Sequence, residues 1–407
     1  MPTPSTPLSK RRDSRPTRSC TDSGRPLYTS PRRAMTPPDR WVSMSIESLK
    51  ALFRPELDEL SAYRVPPAPP AVKLDANESP WPLPPEARAR IAAVLHTSEL
   101  HRYPDGRATK LRDALARGLG GSVNEYVLGA GSDELIALMA TAMSRPRSGA
   151  DHPVVVFPEP TFGMYGMTSR ARGWQPVGVP LDDDWDLDLG AISATLERTK
   201  PNVVYYATPN NPTGNCFSRN KVENLVDAFP DSLHVIDEAY GPYSGESFAT
   251  FAEERPHCAL MGTLSKVGFA GIRVGWVRIH EALSHELEKV RQPFNLNTAS
   301  QDIATLALTD LAPVLEEHIT SIVTERERLA TELERHEELQ CFPSDANFLL
   351  VRVGGDVPEL CAALLDREIA VRQFSSGDSR LRSCIRITIG TPQENQRLVE
   401  ALRDILG

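Results

Sequence analysis

Short runs of apolar and β-branched residues alternate with helix-like patterns between about residues 105 and 300. Four such runs lie at residues 154–157, 203–206, 234–237 and 273–277. Continuously apolar strands that alternate with helices are typical of a parallel or mostly parallel sheet covered on both faces. The pattern therefore predicts an α/β architecture, with residues 105–300 as a large domain.

After residue 300 the pattern changes. Apolar positions at helical spacing predict a long amphipathic helix over residues 315–333, and apolar runs predict strands at 347–351 and 385–389. A final helix is expected to begin at Thr391, which is followed by a proline and, three residues on, by Glu394 in the pattern of a capping box. These features predict a second, smaller α+β domain over residues 301–407.

The N-terminal part has two different compositions. Residues 1–43 hold nine Lys or Arg, three Asp and eight Pro, a mixture that buries little apolar surface and predicts disorder. Two explanations of this basic extension stay open, a start codon assigned too far upstream and an organelle-targeting segment. Residues 44–104 begin with a helical pattern and continue through a proline-rich stretch at 65–70, which predicts an extended arm and the entry to the small domain.

Composition narrows the class of protein. The 407 residues are 40% hydrophobic and 24% charged, with a formal net charge of -9, which gives no electrostatic reason to expect nucleic acid or an anionic membrane as a partner. No apolar run approaches the ~18 residues that a membrane helix needs, and no short apolar stretch follows the basic start as in a secretory signal. We expect a cytoplasmic protein.

The six cysteines and nine histidines give no sign of a metal site or a disulfide. The cysteines are scattered without a C-x-x-C pair, and no two histidines share metal-ligand spacing within a helical turn. Buried thiols in a reducing compartment are the expected state.

Candidate chemistry lies where the predicted strands end, which is where open α/β sheets bind ligands. Residues 129–134 (Gly-Ala-Gly-Ser-Asp-Glu) precede an apolar helix, whose free amides could hold a phosphate. A glycine turn with a serine N-cap explains this motif equally well. Residues 208–214 (Thr-Pro-Asn-Asn-Pro-Thr-Gly) predict a rigid loop that presents Asn211 as both donor and acceptor.

Asp237 ends a buried strand, and Tyr240 follows three residues later. A buried carboxylate is unfavourable unless it is paired, and a pyridinium nitrogen would be a fitting partner. A phenol on the adjacent turn could then hydrogen-bond the oxygen of the same ring. An aspartate helix cap beside a core tyrosine is the alternative interpretation.

Lys266 is the strongest local candidate. It lies in the apolar, glycine-rich stretch 262–273, where desolvation would make its amine a usable nucleophile. Ser265 and Arg273 flank it with a hydroxyl and a cation suited to a phosphate ester.

The ordered set Gly-Ser-Asp, Asn-Pro-Thr-Gly, Asp-Glu-Ala-Tyr and Ser-Lys followed by Gly-Ile-Arg resembles the fold-type I pyridoxal-phosphate (PLP) aminotransferases of the aspartate aminotransferase superfamily. Within it, five segments are similar to histidinol-phosphate aminotransferases: 73–78, 101–106, 160–165, 347–352 and 385–391. The resemblance runs from about residue 55 to the C-terminus. It implies a large domain on a mostly parallel sheet, a smaller α+β C-terminal domain, and pyridoxal 5'-phosphate as cofactor.

The resemblance assigns roles around the cofactor. Lys266 forms the Schiff base with PLP and moves a proton between substrate and cofactor, Asp237 keeps the pyridine nitrogen protonated, and Tyr240 with Asn211 binds the ring oxygen O3′. Phe162 matches the aromatic residue that stacks on the ring, where many relatives carry Tyr. The groups implied around the cofactor phosphate are Ser132, Asp133, Ser265 and Arg273 of one subunit and Tyr103 of the other.

It also assigns substrate contacts. Arg386 matches the arginine that binds the α-carboxylate of glutamate, and Asn211 is also assigned to substrate binding. Arg372, with Tyr63 from the arm, matches the groups that take the phosphate of histidinol phosphate. Because Tyr103 acts across an interface, a homodimer is implied.

The activity implied is transamination of L-histidinol phosphate with 2-oxoglutarate, giving imidazole acetol phosphate and glutamate in histidine biosynthesis. Two rivals use the same cofactor, an aromatic amino-acid aminotransferase and a threonine-phosphate decarboxylase. A non-catalytic PLP-binding regulatory protein is the rival from another class, and it would lack the lysine or carry a DNA-binding module.

Overall fold

This computed structural model of the chain describes residues 45–59, 70–147, 149–375 and 377–407. The predictions for residues 1–43 and for Tyr63 lie outside these ranges. The described residues fall into two units, one up to Phe53 and the other from Arg54 onward. In the first unit the described residues form one short helix, Ile46–Lys50, whose N-cap Ser45 accepts a hydrogen bond from the Ser48 backbone amide.

The described part of the second unit contains strands of three to six residues. In chain order they are β1 Val72–Leu74, β2 Tyr126–Gly129, β3 Val154–Glu159, β4 Gln175–Pro180, β5 Val203–Ala207, β6 Leu233–Asp237, β7 Cys258–Thr263, β8 Gly275–Arg278, β9 Leu339–Cys341, β10 Phe348–Val353, β11 Ile369–Gln373 and β12 Cys384–Thr388.

Seven of these strands form one sheet in the order β2-β8-β7-β6-β5-β3-β4. The strands from β4 through β3, β5 and β6 to β7 are parallel, whereas β8 runs antiparallel to both β7 and β2. Strands β5, β6 and β7 are buried along their whole length, as expected for strands covered on both faces. The prediction of an α/β fold with a mostly parallel sheet is confirmed.

The other five strands form a second sheet in the order β1-β11-β12-β10-β9. Strand β1 comes from the N-terminal side of the chain and pairs in parallel with β11, while the remaining pairs are antiparallel. This sheet therefore combines residues 72–74 with the C-terminal strands. The domain boundaries at residues 104 and 300 stay a prediction.

Helices lie between most strands. They are α1 Ile46–Lys50, α2 Pro85–Thr97, α3 Thr109–Leu119, α4 Ser132–Ala142, α5 Met164–Arg170, α6 Leu189–Thr199, α7 Arg219–Ala228, α8 Ala249–Glu253, α9 Glu281–Glu288, α10 Thr298–Leu308, α11 Ala312–Leu333, α12 Val357–Leu365 and α13 Pro392–Leu406. The long helix α11 and the capping box at Thr391 are found as expected. Helix α4 is capped by Gly131, so the serine cap considered for residues 129–134 is wrong, and Ser132 is its first residue.

Candidate active site

Several predicted site residues, among them Phe162, Asn211 and Lys266, follow the carboxyl ends of parallel strands of the large sheet. A cavity of about 1000 Å³ opens there. Of the residues expected in the site, those that line this cavity are Ser132, Asp133, Phe162, Asn211, Asp237, Tyr240, Ser265, Lys266, Arg273, Arg372 and Arg386. One chain thus brings eleven of the candidates to a single cavity.

Lys266 lies in the turn that follows β7. Tyr243 fixes this turn, because its buried hydroxyl donates a 2.6 Å hydrogen bond to the Lys266 carbonyl oxygen. The Lys266 Nζ lies 5.6 Å from the centre of the Tyr240 ring. The amine therefore stands on the cavity wall beside the Tyr240 ring.

Asp237 ends β6 and is only 4% exposed. Its Oδ2 accepts a 2.6 Å hydrogen bond from the Tyr165 hydroxyl, and its Oδ1 accepts one of 3.0 Å from the Ala239 amide. Burial raises the pKa of Asp237 to about 6, although both hydrogen bonds and the charge of Lys266 act in the opposite direction. A cationic partner in the cavity would stabilise the ionised form of this carboxylate.

Tyr240 is held by Asn77, which follows β1 of the second sheet. Its hydroxyl oxygen accepts a 2.9 Å hydrogen bond from the Asn77 side-chain amide, which lies just beyond β1. The Tyr240 ring packs edge-on against Phe348 with 5.2 Å between ring centres. These two contacts fix both the plane of the ring and the position of its oxygen.

The first turn of α4 and the end of the Lys266 segment meet closely. A Cβ atom on Gly275 would lie 2.8 Å from the Ser132 nitrogen, and one on Gly131 would lie 2.5 Å from a guanidinium nitrogen of Arg273. Arg273 also approaches the Asp133 carboxylate at 3.4 Å. The close approach leaves the free backbone amides at the start of α4 beside a cation, which is a suitable cradle for a phosphate.

Ser265 is buried next to this cradle. The Thr263 hydroxyl lies 2.9 Å from Ser265 Oγ and accepts a hydrogen bond from the Ser265 backbone amide. Thr263 therefore orients a hydroxyl that lines the cavity beside Lys266.

Phe162 lies in the segment after β3 and packs edge-on against Tyr165, with 5.6 Å between ring centres and an interplanar angle of 85°. Tyr165 in turn stacks on Tyr205 at 4.4 Å. This aromatic support holds Phe162 on the cavity wall, where its face is available to a planar ring.

Arg386 crosses from the small sheet to the loop after β5. Its Nη1 donates to Asn211 Oδ1 and its Nη2 to the Asp75 carbonyl oxygen, each at 2.6 Å. Arg372 is the cross-strand neighbour of Arg386 between β11 and β12, and it is exposed on the cavity wall. Two cations on adjacent strands thus face the same cavity.

Tyr103 differs from the other candidates. It is 82% exposed, stacks on Phe294 with 4.8 Å between ring centres, and does not line the cavity of its own chain. This placement leaves its hydroxyl available to another molecule. Tyr63, the remaining candidate, lies outside the described residues.

The sequence did not single out Tyr165 or Asn77, although both touch predicted site residues. Tyr165 lies in the segment 160–165 and Asn77 in the segment 73–78, so both belong to segments that carry the family resemblance. A left-handed backbone at Asn77, with φ of 55°, is a conformation that asparagine tolerates better than most residues. Their roles depend on hydrogen bonds across long sequence distances, which no local pattern shows.

Metal ligands and membrane-spanning helices are not found among the described residues. Within those ranges, no cluster of three or more His, Cys, Asp or Glu side chains has the arrangement of a metal site. No helix in the same part of the chain is long and apolar enough to cross a membrane.

Comparison with known proteins agrees with the geometry. The family model "Aminotransferase class I and II" matches residues 69–402. The chain is 39% identical over 348 residues to the histidinol-phosphate aminotransferase of Aquifex aeolicus, covering 86% of this chain and 96% of that protein. It is 40% identical over 357 residues to the enzyme of the same description from Chromobacterium violaceum, covering 88% and 98%.

A solved structure is also similar. The crystal structure of histidinol-phosphate aminotransferase from Sinorhizobium meliloti, in complex with pyridoxal-5'-phosphate, matches with a TM-score of 0.77 and 26% identity, covering 88% of this chain and 98% of that one. The chain belongs to the family of class I and II aminotransferases. Its fold is that of the fold-type I PLP enzymes, and the predicted enzyme class and cofactor are confirmed. Within the family, these three relatives are all histidinol-phosphate aminotransferases.

The residues present fit PLP. The buried Asp237 suits a protonated pyridine nitrogen, and Lys266 offers an amine on the same cavity wall. The glycines at 131 and 275 permit the close approach of backbone and cation that a phosphate group needs. Three chemically different parts of the cofactor therefore have matching groups.

Proposed function

We propose that the enzyme transfers the amino group of L-histidinol phosphate to 2-oxoglutarate, giving imidazole acetol phosphate and glutamate, a step of histidine biosynthesis. One cavity serves both half-reactions in turn by a ping-pong route. The observation that carries the proposal is the near full-length identity of 39–40% with histidinol-phosphate aminotransferases from two different bacteria. The arginines of the cavity suit the anionic groups of both substrates.

PLP, when bound, supplies an electron sink for the substrate's Cα carbanion. Lys266 would hold the cofactor covalently through its side-chain amine, and that amine, when free, would move the proton that leaves the substrate Cα. This role needs a free amine close to the reacting atoms, and the turn after β7 presents Lys266 Nζ on the cavity wall.

Asp237 keeps the cofactor's ring nitrogen protonated. The carboxylate has a pKa raised to about 6 by burial, so at neutral pH it is ionised at a cost that a pyridinium partner offsets. Tyr165 holds the carboxylate in place by the 2.6 Å bond to Oδ2. Asp237 therefore supplies the negative charge, and Tyr165 fixes the orientation of its carboxylate.

Tyr240 donates its phenolic proton to the ring oxygen O3′, and the Asn211 amide binds the same oxygen. Arg386 positions Asn211, because the Arg386 guanidinium donates a hydrogen bond to Asn211 Oδ1. The NH₂ group of Asn211 therefore points away from Arg386. Phe162 stacks on the ring face. The groups that bind the cofactor phosphate are the start of α4 with Ser132 and Asp133, together with Ser265 and Arg273.

Arg386 and Arg372 receive the substrate anions. Arg386 binds the α-carboxylate of glutamate and 2-oxoglutarate, and Arg372, with Tyr63, binds the phosphate of histidinol phosphate. Their adjacent positions on β12 and β11 support a site that accepts a phosphate ester in one half-reaction and a dicarboxylate in the other.

We further propose a homodimer in the cytoplasm, with Tyr103 of each subunit reaching the cofactor phosphate of the other. Tyr103 is exposed and does not line the cavity of its own chain, which supports a contact with the other subunit. The cytoplasmic location rests on the composition of the chain, which is that of a soluble globular protein.

A comparison of three amine substrates tests the assignment. Purified enzyme with PLP is assayed with histidinol phosphate, phenylalanine and threonine phosphate, and kcat/KM is measured for each. The proposal predicts the highest value for histidinol phosphate. A tenfold or greater preference for phenylalanine would indicate an aromatic aminotransferase, and release of carbon dioxide from threonine phosphate at a higher kcat/KM would indicate the decarboxylase.

A further inference from the structure

Asn77 is buried at a junction of hydrogen bonds beside the cavity. The residue is 1% exposed, and its side-chain Nδ2 donates a 2.9 Å hydrogen bond to the Tyr240 hydroxyl oxygen. On its other side, Asn77 Oδ1 accepts a 3.0 Å hydrogen bond from the hydroxyl of Thr388 in β12. Asn347 Nδ2 donates to the Asn77 carbonyl oxygen at 3.1 Å and anchors the backbone.

Thr388 determines which end of the Asn77 amide faces Tyr240. The Thr388 oxygen accepts a 2.9 Å hydrogen bond from the Asn77 backbone amide, so its own proton must find another acceptor. Thr388 is only 2% exposed, and Asn77 Oδ1 is that acceptor. If the Asn77 side-chain amide were flipped, its NH₂ group would face the Thr388 hydroxyl, and the Thr388 proton would have no acceptor at this position. The NH₂ end is therefore directed at Tyr240.

The direction of this bond constrains the phenolic proton of Tyr240. A phenol has one proton to donate, and an oxygen that accepts from an amide cannot donate along the same line. Tyr240 is buried but lines the cavity next to Lys266. The proton is consequently left for an acceptor inside the cavity.

We infer that Asn77 is a positioning residue that directs the phenolic proton of Tyr240 into the cavity, toward the ring oxygen of the cofactor. The inference rests on the role proposed for Tyr240 above and extends it to Asn77, which acts through the Tyr240 hydroxyl. It also explains why an amide donor, and not an acceptor, stands behind the phenol.

Two variants separate this role from simple packing. Asn77→Asp tolerates the left-handed backbone and keeps an oxygen for Thr388, but it presents an acceptor to Tyr240 and so draws the phenolic proton away from the cavity. Asn77→Gly removes the donor without adding charge and without backbone strain. Tyr240→Phe removes the proton itself and serves as the reference.

The readout is the pH midpoint at which the visible absorbance of the PLP-loaded enzyme changes. A phenolic donor stabilises the anionic form of the ring oxygen, so losing that donor favours the protonated form and raises the midpoint. We expect Asn77→Asp and Tyr240→Phe to raise it by about one pH unit, and Asn77→Gly to raise it by less. A purely structural role would alter the melting temperature and leave the midpoint unchanged.

The double variant Asn77→Gly/Tyr240→Phe completes the test. If Asn77 acts through Tyr240, the double variant has the midpoint of Tyr240→Phe alone. A wild-type midpoint in Asn77→Gly, or a shift that adds to that of Tyr240→Phe, would overturn the inference while leaving the proposed role of Tyr240 intact. A wild-type midpoint in Tyr240→Phe would instead refute the role of Tyr240, and the inference would fall with it.

Discussion

At the scale of single residues, Asp237 illustrates how the site is tuned before the cofactor binds. Desolvation raises its pKa from the ordinary 3.8 to about 6, and the hydrogen bonds from Tyr165 and Ala239 limit the rise. The folded, cofactor-free protein therefore binds a proton at Asp237 more tightly than the unfolded chain does.

This raised pKa gives the first prediction. Between pH 3.8 and about 6 the folded state holds more protons at Asp237 than the unfolded state, so the stability contributed by this group falls as pH rises through that window. Asp237→Asn lacks this loss. The free energy of unfolding of the variant, relative to that of wild type, should therefore rise by on the order of 2–3 kcal/mol from pH 4 to pH 7. Urea unfolding of both cofactor-free proteins at the two pH values measures it. A difference independent of pH would contradict the assignment.

Arg372 gives the second prediction. Replacing it with alanine should lower kcat/KM for histidinol phosphate by about 10- to 100-fold, because a charge-assisted contact to the phosphate is lost. The glutamate half-reaction, which relies on Arg386, should change little. Arg352→Ala is the matched control, since Arg352 lies in the same sheet on β10 and does not line the cavity. Equal losses for both substrates would show that Arg372 does not discriminate between them.

At the scale of elements, the sequence predicted β5 and β6 well, because β5 is apolar throughout and β6 is apolar except for His234 and its last residue, Asp237. It did not predict β4, whose residues 175–180 include two prolines and are mostly exposed or only half-buried, or β1, which has three residues. Nor could it show that β8 runs antiparallel to β7, because strand direction depends on the connection and not on apolar pattern.

The residues of the site also fall into those that the sequence could locate and those that it could not. Residues carried by local motifs, such as Lys266 and Asp237, could be located from the sequence because the chemistry and the strand end coincide. Tyr165 and Asn77 could not, because their hydrogen bonds to Asp237 and Tyr240 span 72 and 163 positions of the chain. Tertiary partners of this kind appear only when the strands are assembled.

The close contact between β8 and the start of α4 gives a prediction at this scale. Gly275→Ala places a Cβ atom 2.8 Å from the Ser132 nitrogen and should push the first turn of α4 out of position. We expect PLP affinity to fall at least about tenfold, since the phosphate amides lie in that turn. Equilibrium titration with PLP measures the change. Gly271→Ala is the control, because a Cβ there meets nothing within 4 Å, and equal affinity in both variants would contradict the cradle.

At the scale of the whole molecule, the exposed Tyr103 gives a prediction about assembly. If its hydroxyl completes the cofactor site of a second subunit, sedimentation should show a dimer, and activity should fall when dilution dissociates it. Tyr103→Ala should weaken PLP binding although the residue lies outside its own cavity. A monomer that retains full activity would refute the shared site.

Lys266 is the residue on which the proposed chemistry depends most directly, and an absorbance spectrum tests its role. Wild-type enzyme with PLP should show a visible band that shifts when histidinol phosphate is added, because the substrate amine displaces the lysine. Lys266→Ala should lack the wild-type band and lose transamination by at least about a hundredfold, whereas Lys289→Ala, at an exposed lysine paired with Glu286, should behave as wild type. A wild-type protein without the band after PLP is added, or an unchanged band in Lys266→Ala, would contradict this role.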